Sequence, residues 1–264
     1  MLGLSINLFR IRGIQLSLHA SFLLLVAYYA NEGYHEGGYL VMGWSVVMLL
    51  AFFTCVVLHE LGHSFTARHF GVNVRRILLM PIGGMAEFDS IPRQPSRELL
   101  ITLAGPAVNF VIAGLLWLAV DYPAAWDPGA YPTSLSELGC TLLAWNLVMG
   151  AFNLIPVFPM DGGRILRALL AIKLPYLRAT YWAAVIGRVL AVIGVVVALY
   201  FHAYLLAVLF TFIAFAGNAE YRSVLRRDQE DAQWRTMMER LQSQPPAPEP
   251  PLLKRNNLPS SPEL

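Results

Sequence analysis

The chain has 264 residues, of which 56% are hydrophobic and 14% charged, with a mean hydropathy of +0.54 and a net charge of +2. That composition excludes an ordinary soluble domain and points to a membrane protein. The small net charge gives no ground for a nucleic-acid partner, so the placement of the basic residues matters more than their number.

A hydrocarbon core of about 30 Å takes about 20 helical residues to cross. Six apolar runs approach that length, at residues 16–30, 46–67, 99–120, 138–158, 179–200 and 203–217. The expected fold is therefore an all-α polytopic membrane protein of about six transmembrane helices. The first run follows LFRIRGIQLS and has the basic start and apolar middle of a signal peptide. No A-x-A-like cleavage site follows it, so it reads as a retained helix. Cys55 and Cys140 lie in apolar runs and read as buried free thiols.

With the N-terminus inside, the outward connections 31–38, 121–137 and 201–202 contain no lysine or arginine. The inward segments carry Arg10, Arg12, Arg68, Arg75, Arg76, Arg93, Arg97, Arg164, Arg167, Lys173, Arg178, Arg222, Arg226 and Arg227. The positive-inside rule then predicts a multi-pass protein of the cell membrane with both termini cytoplasmic. Arg188 departs from this pattern, lying roughly 15 Å into the fifth run. It reads either as a functional intramembrane charge or as a snorkelling or paired arginine.

The second run contains VVLHELGHSFTARHFG, residues 56–71. His59 and His63 are four apart and share a helical face, so their imidazoles can converge on one point. Glu60, rotated by about 100° from His59, is placed to reach a water held there rather than the metal itself. This is the geometry of H-E-x-x-H, two zinc ligands and a general base. A carboxylate inside a membrane helix is costly and argues against a chance match. Counting back from Arg68, the site lies roughly 14 Å deep.

VRRILLMPIGGMAEFD, residues 74–89, is too broken for a spanning helix. It predicts a short membrane-associated β-hairpin, with strands at 76–80 and 85–88 around a turn at 81–84. An exposed strand edge can bind extended peptide, and a purely structural hairpin is the alternative.

A catalytic zinc site needs a third protein ligand. Asp161, in FNLIPVFPMDGGR, is the other acidic residue read at membrane depth. Pro156 and Pro159 must break the fourth helix there, and broken backbone at that depth is tolerated where it lines protein or a wet cavity. Gly162 and Gly163 are expected to form a tight turn that frees the Asp161 carboxylate. An interfacial helix end with a solvated aspartate is the other reading.

HELGH, then PIGGMAEF, AGPAVNF and NLIPVFPMDGG, in that order, resemble the site-2 protease family of intramembrane zinc metalloproteases over roughly residues 16–217. The resemblance implies one Zn²⁺ held by His59, His63 and Asp161, with Glu60 activating water for peptide-bond hydrolysis within the bilayer. It places the family's asparagine on Asn153 and implies substrate binding by Asn153, Asn109 and the Gly83–Gly84 strand. Asn109 and Asn146 are equally open to a helix-joining role, which is favoured for Asn146. The implied substrate is a single-span transmembrane protein cut in regulated intramembrane proteolysis. No block of PDZ size interrupts the helices and the tail does not resemble CBS domains, so the chain is most similar to the compact six-helix subgroup.

Two domains are expected, the protease domain at 1–217 and a cytoplasmic segment at 218–264. The latter combines a charged helix with a Pro-rich, disordered tail. A regulator bound at that tail and association into a homo-oligomer stand as open partners. The rival class is a zinc carrier or an inactive membrane scaffold, although a carrier would spread polar residues along a path across the bilayer.

Overall fold

The computed structural model describes residues 5–89, 92–123 and 126–243. The chain opens not with a helix but with two strands, β1 (Ser5–Ile11) and β2 (Ile14–His19). Arg12 and Gly13 join them with φ values of 47° and 88°, the two left-handed residues of a tight hairpin turn. The apolar run expected from residue 16 therefore gives its first four residues to a strand, and α1 begins at Ser21.

Helix α1 (Ser21–His69) is bent back on itself at Gly37 and Gly38, where φ and ψ leave the helical region. Gly38, at φ 70° and ψ −156°, occupies backbone space that a side chain disfavours. The two legs pack antiparallel. The Phe22 and Phe53 rings meet edge-on at 4.6 Å. Ser45 Oγ donates to the Tyr29 carbonyl at 2.8 Å, and a Cβ on Gly33 would lie 2.5 Å from Ser45 Oγ.

Strands β3 (Val74–Met80) and β4 (Gly83–Phe88) follow, but they are not an isolated hairpin. They complete a four-stranded sheet of order β1-β2-β3-β4. β2 and β3 pair in parallel, with Gln15 opposite Arg76 and Leu18 opposite Leu79; the flanking pairs are antiparallel. Ile14, Leu16, Ile77 and Leu79 bury one face of this sheet against Leu49, Phe53 and Val56 of α1. β4 is left as an edge strand beside the helix that carries HELGH.

Helix α2 (Pro95–Ala119) crosses the second leg of α1 closely, because a Cβ on Gly62 would stand 2.7 Å from the Ala104 carbonyl. Small residues permit such backbone approach in membranes. Helix α3 (Leu135–Asn153) starts on Ser134, whose side chain accepts from the Glu137 N–H. It stops at Asn153, short of the expected 158, because Ile155 precedes Pro156.

Helix α4 (Asp161–Ala171) then begins on the predicted aspartate. Gly162 and Gly163 lie in its first turn, not in a loop. A Cβ on Gly162 would lie 2.0 Å from the Ile155 carbonyl, and one on Gly163 2.7 Å from the Phe158 nitrogen. These glycines thus permit close packing of residues 154–160 onto the helix start, and the tight turn expected of them is not formed.

Helices α5 (Tyr176–Tyr200) and α6 (Tyr204–Ser243) complete the described residues. Among the described residues, five helices are long and apolar enough to cross a membrane. Since α1 folds back, they supply six legs, as the six apolar runs predict. Arg188 lies exposed on α5. The chain divides into two compact units between residues 222 and 223, inside α6. Of the second unit, residues 223–243 are helical, and the Pro-rich segment 244–264 lies outside the described residues.

Candidate metal centre

His59 and His63 project from α1 onto α2 and the N-terminus of α4. Their protonation follows from a chain of hydrogen bonds. The Leu142 carbonyl can only accept, so Asn146 presents Nδ2 to it at 2.8 Å. Asn146 Oδ1 is thereby turned toward Asn109 Nδ2 at 2.9 Å, which leaves Asn109 Oδ1 facing His59 Nδ1 at 2.6 Å. His59 Nδ1 must carry the proton. The Ile101 carbonyl, 2.8 Å from His63 Nδ1, enforces the same tautomer there. In that tautomer a neutral imidazole at either position turns a bare Nε2 lone pair inward.

Those two Nε2 atoms are 3.1 Å apart. Asp161 Oδ2 lies 3.4 Å from the His59 nitrogen and 3.1 Å from that of His63, and this buried oxygen has no hydrogen-bond donor. Three acceptors facing one another at such distances repel unless a cation lies among them. Tetrahedral ligation with bonds of about 2.0–2.1 Å separates ligand atoms by about 3.3 Å, so the spacing fits a metal of zinc's size. His59, His63 and Asp161 form the single His/Cys/Asp/Glu group among the described residues able to hold a metal ion. Their exposures of 5%, 5% and 7% exclude most competing solvent. Gly105 of α2 completes the cradle, since a Cβ there would lie 2.2 Å from His63 Nε2 and 2.8 Å from His59 Nε2.

A cavity of about 620 Å³ adjoins this centre. His59 and Glu60 line its floor, Gly83 and Gly84 of β4 one wall, and Asn153 at the end of α3 another, with Phe52, Phe53, Trp145 and Phe152 between them. A Cβ on Gly84 would stand 2.7 Å from Glu60 Cγ, so the strand edge lies directly on the Glu60 side chain. The cavity therefore brings together Glu60, Asn153, Gly83 and Gly84. Asn109 is not among its lining residues. It is fully buried and committed to His59 and Asn146, a placement that differs from the substrate contact expected of it.

Three further residues carry no marker in the sequence reading. Gly105 falls inside AGPAVNF, where only its closeness to the histidines reveals its use. Glu98 has no place in the sequence argument and Arg167 counts there only among the inward basic residues, yet both are fully buried and paired with each other. An acidic residue in the first turn of a helix ordinarily complements the helix dipole, which conceals this pairing.

Fold and site together define a polytopic membrane protein with a buried His–His–Asp metal centre beside an apolar, strand-edged cavity. The chain belongs to Peptidase family M50, whose model matches residues 47–126 and 129–194. It is similar to the solved site-2 protease from Methanocaldococcus jannaschii, with 39% identity and a TM-score of 0.58, covering 82% of this chain and 95% of that one. A zinc metalloprotease of the same organism is 42% identical over 83% of this chain. Stage IV sporulation protein FB of Bacillus subtilis is 30% identical over 50% of it. The chain spans 61% and 43% of the lengths of these two relatives.

Proposed function

We propose that the chain is a zinc-dependent intramembrane endopeptidase that cuts single-span membrane proteins, and that it serves regulated intramembrane proteolysis. The observation that carries this reading is the set of three mutually facing acceptors at His59, His63 and Asp161, with Glu60 beside them on the cavity floor. Bound there, zinc supplies Lewis-acid polarisation of a scissile carbonyl and lowers the pKa of water to about 7.

The remaining work falls to the chain's own side chains. Asn109 and the Ile101 carbonyl hold the imidazoles in the tautomer that coordinates. Glu60 accepts a proton from water and delivers it to the leaving amine. The outer edge of β4 pairs with substrate drawn out as an extra strand, Gly83 and Gly84 keep that edge close to Glu60, and Asn153 donates to substrate backbone. Intact helix hides its peptide bonds, so substrates with Gly, Pro or Asn near the cut are favoured. Water enters from the side that bears the sheet and α4, which the basic residues of the adjoining segments make cytoplasmic.

Reconstituted protein with a single-span substrate tests this reading. A strong chelator should abolish cleavage and stoichiometric zinc should restore it. Cleavage that persists at full rate after the metal is removed would sink the proposal. Reporters fused after Gly38 and Asp127 should read as external, and those after Arg93 and Arg227 as cytoplasmic.

A further inference from the structure

Glu98 and Arg167 are 1% and 0% exposed, although neither is a metal ligand nor lines the cavity. Arg167 Nε and Nη2 both donate to Glu98 Oε1, at 2.8 and 2.5 Å. Its Nη1 donates to Glu220 Oε1 of α6 at 2.7 Å. The guanidinium also lies against the Phe158 and Tyr176 rings, 5.3 and 5.1 Å from their centroids. Burying two charges is costly and is repaid fully only when every polar atom is satisfied. Here Glu98 Oε2 has no hydrogen-bond partner. Stability alone is a poor explanation for such a pair.

Its place in the fold supplies a better one. Glu98 lies one turn before Ile101, whose carbonyl orients His63, on the helix that also carries Gly105 and Asn109. α2 is therefore the element that holds both histidines. Arg167 lies six residues after Asp161 on α4, about 9 Å along the axis. α4 has only 11 residues and follows an irregular segment, so whatever fastens it to α2 sets where Asp161 stands. Phe158, under the guanidinium, also packs on Gly163 beside that aspartate.

We propose that the Glu98–Arg167 ion pair is a strut that fixes Asp161 relative to His59 and His63, so that metal affinity and coordination geometry depend on two residues that touch no ligand. Both are positioning residues. The two-donor fork onto one carboxylate oxygen defines direction as well as distance, which a lysine cannot do. The inference rests on the zinc reading above.

The test uses the full chain, purified and stripped of metal, with zinc affinity read by competition against a chromophoric chelator. The double variant Glu98→Leu/Arg167→Met replaces the pair with apolar side chains and leaves unpaired only Glu220, which is partly exposed to solvent, so its melting temperature should be largely kept. Its zinc affinity should nonetheless fall roughly 10- to 100-fold, the range typical when groups supporting a metal's ligands are lost. The absorption spectrum of the cobalt-substituted protein should change with it, because the carboxylate shifts against the histidines. A lowered melting temperature with unchanged zinc affinity and cobalt spectrum would mean a merely structural pair and overturn the strut. Should the double variant not fold, Arg167→Lys decides: it keeps the charge and loses the fork. A several-fold loss of zinc affinity there supports the strut, and an unchanged affinity and spectrum overturn it. Wild-type protein that binds no zinc overturns the zinc reading and the strut together, whereas wild-type binding with unaffected variants overturns the strut alone.

Discussion

The two sides of Glu60 differ sharply. On the metal side, the polar atoms around the ligands are assigned: His59 to Asn109, Asn109 to Asn146, His63 to Ile101, with Gly105 against both imidazoles. On the cavity side, aromatic and aliphatic walls surround a strand edge that, among the described residues, no other strand covers. The difference teaches a division of labour. A metal site loses affinity when its ligands move by fractions of an ångström, so it is built from rigid helices and a locked hydrogen-bond chain. A site for extended peptide must accept different side chains, and backbone pairing along an edge supplies affinity without demanding one sequence.

Substitutions on the two sides should therefore separate metal content from turnover. The largest effect is expected on the metal side. Gly105→Ala puts a methyl group where the histidine nitrogens already lie, and Asp161→Ala deletes a ligand. Both should lose zinc by elemental analysis and cleavage with it; zinc retained at full stoichiometry in either variant would break the comparison. Asn109→Ala should be milder, with zinc affinity lowered roughly 10- to 100-fold and cleavage recovered at high zinc.

On the cavity side the pattern should invert. Gly84→Ala pushes a Cβ to 2.7 Å from Glu60 Cγ, so cleavage should fall at least tenfold while zinc stays bound. Loss of zinc in that variant would mean that strand and metal site are one unit.

The smallest effect belongs to the sheet itself. Arg76 donates to Glu87 at 2.7 Å and holds its carboxyl below the usual range, chiefly through that hydrogen bond. Because the folded-state pKa is the lower one, the stabilisation is present above the unfolded value of about 4.5 and is lost as pH falls through the folded value. Glu87→Gln should cost under about 1 kcal/mol in denaturant melts at neutral pH, and little in acid.

Much of the metal site is legible in the sequence, because its signals are local. The spacing of His59 and His63 is a helical face, and the prolines that free Asp161 stand beside it. Other features are hidden because they arise only when distant segments meet. Asn109 reads equally as substrate contact or helix joint until Asn146 fixes its orientation. Gly162 and Gly163 read as a turn, yet their use is to let residues 154–160 pack onto a helix start. The strand pair at the N-terminus escaped for another reason. Its Arg12–Gly13 turn is a recognisable hairpin signal, but β2 runs straight into the apolar start of α1, and the longer pattern masks the shorter one. Glu98 and Arg167 lie 69 positions apart, and each has an ordinary reading alone.

The central claim is that Glu60 handles protons while its neighbours hold metal, and one substitution separates these roles. Glu60→Gln keeps the size of the side chain and its capacity for hydrogen bonding, but cannot accept a proton. In purified protein with a single-span substrate, zinc should remain near one per chain while the cleavage rate falls roughly 10²- to 10⁴-fold. Cleavage at the wild-type rate, or loss of zinc as complete as in Asp161→Ala, would contradict it.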